Sequence, residues 1–404
     1  MSKRFNGEGT FRERKPGQWE GRLAYTDDDG ARRRLSFYAP TEKAARAKVK
    51  EAAARLDRGD PAKDAAKTVS TWCDDWCASS LEASSRKPTT KALMRSLIAS
   101  HVKPAKIGAV PLAKLRPSHF DAWVLELRGK TKTIKAAGGH GDPVTARALS
   151  DATIQRVFRV LSVVLDGAVR DGELAVNPAK KVEQPTAERQ EARVLNADEV
   201  RAILSAARDI DAERGGWRTH NYALFALIAA TGMRKGEALA LRWADIDLKA
   251  GTVTVRGTLS RVGKKLIVTT PKTKSSHRVL PVPDGLVRVL RAHRTAQLED
   301  RIRAANVWQN TGHVFTTAMG APIDPRNALR SIQAAARRAG IEDVDVHALR
   351  HSAATVMLDS GVHLKAVSQL LGHAGTQVTA DIYAHLTAPT ARKALDDLGA
   401  AIGL

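Results

Sequence analysis

The spacing of apolar residues changes twice along this chain, and each change restricts what the segment can become. In the first fifty residues, short alternating runs at 10–14, 19–25 and 32–38 are separated by Lys15-Pro16-Gly17 and by residues 27–30. Alternation between turn residues predicts a three-stranded meander, because successive strand side chains point to opposite faces. Pro40-Thr41-Glu42 opens a helix expected to reach Arg58, where Gly59-Asp60-Pro61 ends it. Residues 66–180 space their apolar side chains by three and four, in 68–80, 89–103, 117–127 and 150–171, and read as helices only. The stretch 129–148 has little apolar content and reads as a mobile, positively charged loop. Asn177-Pro178 begins a linker with two prolines and little that can pack. From residue 194 the pattern mixes. Helices at 196–208 and 221–230 precede strands at 252–259, 265–270 and 277–282; helices then return at 285–305, 325–339, 347–360 and 364–371, with a short one near Tyr383. No period of 20–50 residues repeats, so the chain is not a solenoid. The expected fold class is α+β, mainly helical and multidomain. A small three-stranded sheet plus helix occupies 1–64, an all-α domain 66–180, a linker 181–193, and a mixed domain with a small antiparallel sheet and a C-terminal tail 194–404.

Charge narrows the partner. Lys and Arg number 65 against 43 Asp and Glu, a net charge of +22. That excess is silent about fold and favours a polyanion, either nucleic acid or an anionic membrane. No run of 18 apolar residues occurs, and no apolar stretch follows the basic start MSKRFNGEG. Both facts argue against a spanning helix or a signal peptide and leave nucleic acid, in the cytoplasm. The basic N-terminal sheet is of a kind that can lie in a major groove. Cys73 and Cys77, four apart in TWCDDWC, make neither a disulfide framework nor by themselves a structural zinc site. They read as half-buried helix residues.

Three stretches of the last segment hold side chains with chemistry in them. In AATGMRKGEALALRW, residues 229–243, a buried helix stops at a glycine, and Arg234 and Glu237 follow three apart. On one helix face the carboxylate would fix the guanidinium; a routine surface ion pair has the same spacing. In VHALRHSAAT, residues 346–355, His347 and Arg350 fall on the first turn of a helix. The positive end of the helix adds to such donors in holding a phosphate. His351 reads as an incidental neighbour. In LLGHAG, Gly372 ends a helix and turns His373 inward; a structural histidine fits as well. Tyr383, one of four tyrosines, follows ten residues later.

Each signal is weak alone, and their order and spacing are specific. ATGMRxGE, a β-hairpin with a lysine, HxLRHSxAT and LLGHxxxxxTxxYxH together closely resemble the tyrosine recombinases, specifically the phage-type integrases. The motif likeness covers residues 194–404, and the likeness in organisation covers nearly the whole chain. It implies that Arg234 and Arg350 hold the non-bridging phosphate oxygens, with Glu237 the acidic residue beside the first arginine. It also implies that His347 and His373 are the two histidines and Tyr383 the nucleophile. The lysine falls in TPKTKSSHRVLP, in the turn between the second and third strands. Lys272 is the favoured position, Lys274 the alternative, and Lys264 and Lys265 weaker ones. The resemblance further implies an arm-type DNA-binding domain, a core-binding domain and a catalytic domain. These would act as a homotetramer on double-stranded DNA, at core and arm sites. A host DNA-bending protein and a directionality factor are possible partners. The implied activity is integration or excision of a mobile element through a 3′-phosphotyrosyl intermediate. A housekeeping resolvase and a type IB topoisomerase-like enzyme are the alternatives.

The chemistry asks for these residue types. Planar guanidiniums clamp the oxygens on which charge accumulates in the transition state. A phenol with a reference pKa near ~10 needs cations and a histidine to become a nucleophile. The 5′-oxygen needs a proton as it leaves, which a lysine can give. No G-x-x-x-x-G-K-[ST] occurs and no carboxylate cluster accompanies the motifs, so neither ATP, a metal nor any other cofactor is expected. Arg147, Arg156, Arg159, Lys180 and Lys181 are candidates for phosphate contacts, and residues 390–402 for an amphipathic tail helix.

Overall fold

The computed structural model describes residues 9–26, 32–57, 67–134, 143–188, 193–213, 220–270 and 277–372. Lys272, Lys274, His373, Tyr383 and the tail helix lie outside these residues. The chain divides into two compact units, Met1–Glu188 and Arg189–Leu404.

The first unit begins with the expected meander. Strands β1 (Thr10–Lys15), β2 (Gln18–Thr26) and β3 (Arg32–Ala39) form one antiparallel sheet in that order, and helix α1 (Glu42–Asp57) follows. Leu23 and Leu35 from the sheet meet Val49 and Ala52 from α1 in a small apolar core. The opposite side of β2 presents Glu20, whose carboxylate is 2.7 Å from Arg12, 2.9 Å from Arg22 and 3.3 Å from Arg14. The hydrogen bond from Arg22, against the opposing effect of desolvation and with the help of Arg12, holds Glu20 at about 2.

Helices α2 (Val69–Ala78), α3 (Ser80–Ala83), α4 (Pro88–Leu97), α5 (Pro117–Gly129) and α6 (Asp151–Arg170) build the rest of the unit. The 20-residue α6 starts at Ser150, whose hydroxyl accepts the Thr153 N–H at 3.3 Å. Its apolar stripe packs under α2 and α5, where Trp72 donates through Nε1 to Val164 O at 2.9 Å. Cys73 is fully buried in this core and Cys77 partly. Two expectations fail here. The segment is not helical throughout: β4 (Thr131–Ile134) and β5 (Val144–Arg147) pair as an antiparallel ribbon within the supposed loop. Its threonines and valine favour extended backbone, and a ribbon that covers no core needs none of the apolar content used to find strands. Nor does the chain loosen at Asn177. That side chain is buried and donates to Ser162 O and Asp166 on α6, both at 2.9 Å, while Ala179 is buried too.

The second unit surrounds α8 (Asn221–Thr231), which is apolar on all sides and buried, as such a helix must be. Around it lie α7 (Ala197–Glu213), α9 (Lys235–Ala240), α10 (Asp284–Ala304), α11 (Pro325–Arg338), α12 (Val346–Asp359) and α13 (Leu364–Leu371). The strands are β6 (Ile246–Asp247), β7 (Thr252–Val255), β8 (Thr258–Val262), β9 (Lys265–Thr269) and β10 (Arg278–Pro281). The strand expected over 252–259 is two strands in different sheets, β7 in the order β10-β7-β6 and β8 paired with β9. Alternation continues across the break, and a period of two carries no information about which strand is the partner. The described hairpin therefore turns at Gly263-Lys264, whereas β9 and β10 belong to different sheets, and residues 271–276 lie outside the described residues.

Behind α10 lies a buried polar network. His220 Nε2 is 2.7 Å from Asp300 Oδ2, and Trp243 Nε1 donates to Gln297 Oε1 at 2.6 Å. His293 donates to Val314 O at 2.8 Å and stacks on Phe315. Burial, with the neighbouring His220, pushes the His293 imidazole down to about 3. The unfolded chain then binds more protons than the fold between ~6.5 and this value, so stability is full above that window and falls as pH drops through it. The slope is about 1.4 kcal/mol per pH unit for one such group. Urea midpoints measured across the window should fall less steeply for His293→Gln than for wild type.

Candidate active site

The site is built where three chain segments meet the end of α13. Helix α8 stops at Gly232, which takes the left-handed conformation with φ 64° and lets the chain turn sharply into Met233-Arg234. Arg234 does not lie on a helix face with Glu237, as its spacing suggested. It is the extended residue that caps α9. Glu237, in the first turn of α9, reaches back to accept the Arg234 backbone N–H at 3.1 Å and its Nη1 at 2.8 Å. The contact across three residues is thus kept by a helix cap, half of a capping box.

Three arginines take three consecutive carbonyls at the end of α13. Arg278 Nε donates to Leu370 O at 2.7 Å, Arg350 Nη2 to Leu371 O at 2.9 Å, and Arg234 Nη2 to Gly372 O at 3.0 Å. The last carbonyls of a helix have no partner within it and carry its negative end, so guanidiniums are well suited to them. Arg350 also donates through Nη1 to Gly232 O at 2.6 Å, joining the two helix ends. Gly372, with φ 66°, has no room for a side chain: a Cβ would stand 2.7 Å from Arg278 Nη1. His373 is the next residue in the chain, and Tyr383 follows ten residues after it.

Glu237 is the counter-charge. Its side chain is 2% exposed, and its second oxygen accepts from Arg278 Nη2 at 2.8 Å. Burial pushes this carboxyl up, and the hydrogen bonds and charges of Arg278 and then Arg234 more than reverse it, so it stays ionised below the usual range. Asp345 caps α12 by accepting from Ala348 N at 2.9 Å, which sets His347 on the first turn. Desolvation lowers the His347 imidazole; Asp345 opposes this, and the charges of Arg350, Lys235 and Arg234 add to it. His347 is therefore neutral near pH 7 and able to accept a proton. His351, read as incidental, has its ring centroid 6.2 Å from that of His347.

The structure thus brings Arg234 and Arg350 onto one helix end, holds Glu237 against Arg234, and sets His347 within the electrostatic reach of both arginines. It gives no placement for Lys272, Lys274, His373 or Tyr383, and Lys264 and Lys265 are exposed at the β8–β9 turn. Arg278 was missed. It is 41 residues from Glu237, and no local spacing signals a partner at that distance. The trace it does leave is chemical, since a buried carboxylate is better held by two cations than by one. Of the phosphate-contact candidates, Arg147 already sits 3.0 Å from Asp151 and Lys180 2.7 Å from Asp166, while Arg156, Arg159 and Lys181 are exposed. Among the described residues no helix is long and apolar enough to cross a membrane.

Comparison with known proteins agrees with this geometry. Residues 193–389 match the model of the phage integrase family. The tyrosine recombinase XerC-like protein of Caldanaerobacter subterraneus subsp. tengcongensis is 30% identical over 390 residues, 92% of this chain and 93% of that one. An integrase of Streptomyces ambofaciens is 28% identical over 85% of this chain and 82% of its own length. In fold, the chain is similar to the Tn1549 transposon integrase in complex with transposon right end DNA, with TM-score 0.63 and 19% identity, over 82% of this chain and 99% of that one. It is likewise similar to the lambda integrase tetramer bound to a Holliday junction, with TM-score 0.56 and 17% identity, over 94% and 96%. The chain belongs to the tyrosine recombinase family, that of the phage integrases and their Xer relatives.

Proposed function

We propose that this recombinase is an integrase that cuts and rejoins DNA strands through a covalent bond between Tyr383 and a DNA 3′-phosphate. The observation that carries the reading is the pair Arg234 and Arg350, both anchored on the α13 end that leads to His373 and Tyr383. A guanidinium has five N–H donors in a fixed plane, enough to hold a backbone carbonyl and a phosphate oxygen together. Anchoring sets the direction of the donors before substrate arrives, so little is lost to reorganisation in the transition state. Glu237 keeps Arg234 aligned. His347, neutral at pH 7, takes or shares the phenol proton, a role His373 is proposed to share.

Attack of the Tyr383 oxygen forms a P–O bond and breaks the bond to the 5′-oxygen, which takes a proton from Lys272, or from Lys274. The ester keeps the energy of the broken bond, and a second 5′-hydroxyl reverses the step on a new strand. Neither ATP nor a metal is required by that balance. The functional unit is a homotetramer on two duplexes, with residues 1–64 on arm sites and 66–180 clamping core sites. A Xer-type housekeeping resolvase is the second reading, favoured by the XerC-like relative that aligns over nearly the whole chain.

A nicked suicide duplex carrying the element's attachment core tests the chemistry. Wild-type protein should be trapped as an adduct that survives SDS, and its absence sinks the reading. On a 5′-bridging phosphorothiolate, whose leaving group needs no acid, Lys272→Ala should recover cleavage while an unrelated slow variant does not. If Lys274→Ala is the one recovered, the acid is Lys274.

A further inference from the structure

The β4–β5 ribbon connects α5 to α6, and among the described residues its strands add no side chain to the apolar core. Its ladder pairs Thr131 with Arg147, Lys132 with Ala146, Thr133 with Thr145 and Ile134 with Val144. Ala148 N donates to Lys130 O at 2.8 Å, which carries the pairing down to the helix ends. Directly opposed residues share a face. One face therefore holds Thr131, Thr133, Thr145 and Arg147; the other holds Lys132, Ile134, Val144 and Ala146. Thr131, Lys132, Thr133, Val144, Thr145 and Arg147 are all exposed, Val144 at 62%. A sheet in a globular domain buries at least one face, and an isolated two-stranded hairpin is marginal in water.

Charge indicates what covers it. Arg128, Lys130, Lys132 and Arg147 lie on or at the base of the ribbon. The carboxylate against them is Asp151, 3.0 Å from Arg147 and 3.7 Å from Arg128. Exposed pairs of this kind contribute little and are readily exchanged for a phosphate. A protein partner would want an apolar centre, and the face of Thr131, Thr133, Thr145 and Arg147 offers none.

We propose that the β4–β5 ribbon enters the major groove of duplex DNA, with its threonine face toward base edges and Lys130 and Lys132 on phosphates. A major groove about 12 Å wide admits a two-stranded ribbon, whereas a minor groove of about 6 Å does not. Threonine hydroxyls donate and accept at base edges, and their methyls meet the thymine methyl. The proposal rests on the recombinase reading and adds to it a DNA contact that cleavage itself does not need.

The hydrogen bond between Ala148 and Lys130 means that the ribbon can be excised and closed by an Asn-Gly turn without moving α5 or α6. The full-length excised chain is titrated against an attachment-core duplex and a scrambled duplex over a range of salt. Attachment-core affinity should fall roughly ten- to a hundredfold, with a salt dependence shallower by about two phosphate contacts. Protection of guanine N7 from dimethyl sulfate at one major-groove patch should disappear. Lys132→Ala should weaken both duplexes alike and reduce the slope by about one, and Thr133→Ala should narrow the ratio between them. These two variants decide the matter if the excised chain does not fold. Unchanged affinity, slope and N7 protection overturn the proposal, even where recombination is lost, since that outcome means a protein partner. Adduct formation by wild type on the suicide duplex keeps the two claims apart. An adduct with an idle ribbon sinks only the ribbon, and no adduct sinks the recombinase reading whatever the ribbon binds.

Discussion

Tyr383→Phe is expected to leave DNA binding within about twofold of wild type and to abolish the SDS-resistant adduct, a loss on the order of 10⁴- to 10⁶-fold in cleavage. The substitution removes one oxygen and keeps the ring, so packing and charge are almost unchanged. Two of the other tyrosines have partners of their own. Tyr38 donates its hydroxyl to Glu20 in the N-terminal sheet at 3.3 Å, and the Tyr222 hydroxyl accepts from Arg208 at 2.7 Å. Tyr25 belongs to β2. An adduct that persisted in Tyr383→Phe would falsify the nucleophile assignment, and mapping the labelled peptide would then name the true one.

Arg350→Lys is expected to reduce the rate of adduct formation about a thousandfold at saturating protein, with binding little affected. The reason is geometric. Arg350 is 4% exposed and spans from Gly232 O to Leu371 O with its two Nη atoms. A lysine ammonium keeps the charge but cannot span two divergent carbonyls and still face a phosphate. One buried carbonyl then loses its partner, at a cost of about 1–3 kcal/mol, so the thermal midpoint should drop as well. Arg278→Lys separates alignment from clamping. Arg278 faces Glu237 and Leu370 O, and acts through Glu237 on Arg234. Its loss should be closer to tenfold and should shrink when measured in a Glu237→Gln background, because the two changes break one connection. Equal losses in both backgrounds would show that Arg278 acts by another route.

Much of the scaffold was legible because local rules dominate it. Alternation with turn residues gave the β1–β3 meander within a residue or two, three-to-four spacing gave α6, and helices were expected where α10–α13 lie. The errors have a common source. Ribbon β4–β5 escaped because it buries nothing, the split of β7 from β8 because alternation does not name a partner, and the packing of Asn177 because a polar side chain can be held by hydrogen bonds alone. His351 reads from the sequence as an incidental neighbour of His347. In the fold its ring lies beside His347, and burial, His347 and Arg350 lower its imidazole.

The sequence by itself determined the order of the motif residues and such helix ends as Ser150 and Gly232, since these act over four residues or fewer. Spacing cannot bring Arg234, Arg278 and Arg350 together across more than a hundred residues. Tertiary structure alone decided that they converge on the carbonyls of Leu370, Leu371 and Gly372. The physical reason is that a helix end leaves its last carbonyls unsatisfied, and in a buried place those groups must find donors from wherever the fold supplies them. Here it supplies arginines, and two of the three that hold the end of α13, Arg234 and Arg350, are the side chains proposed to hold the DNA phosphate.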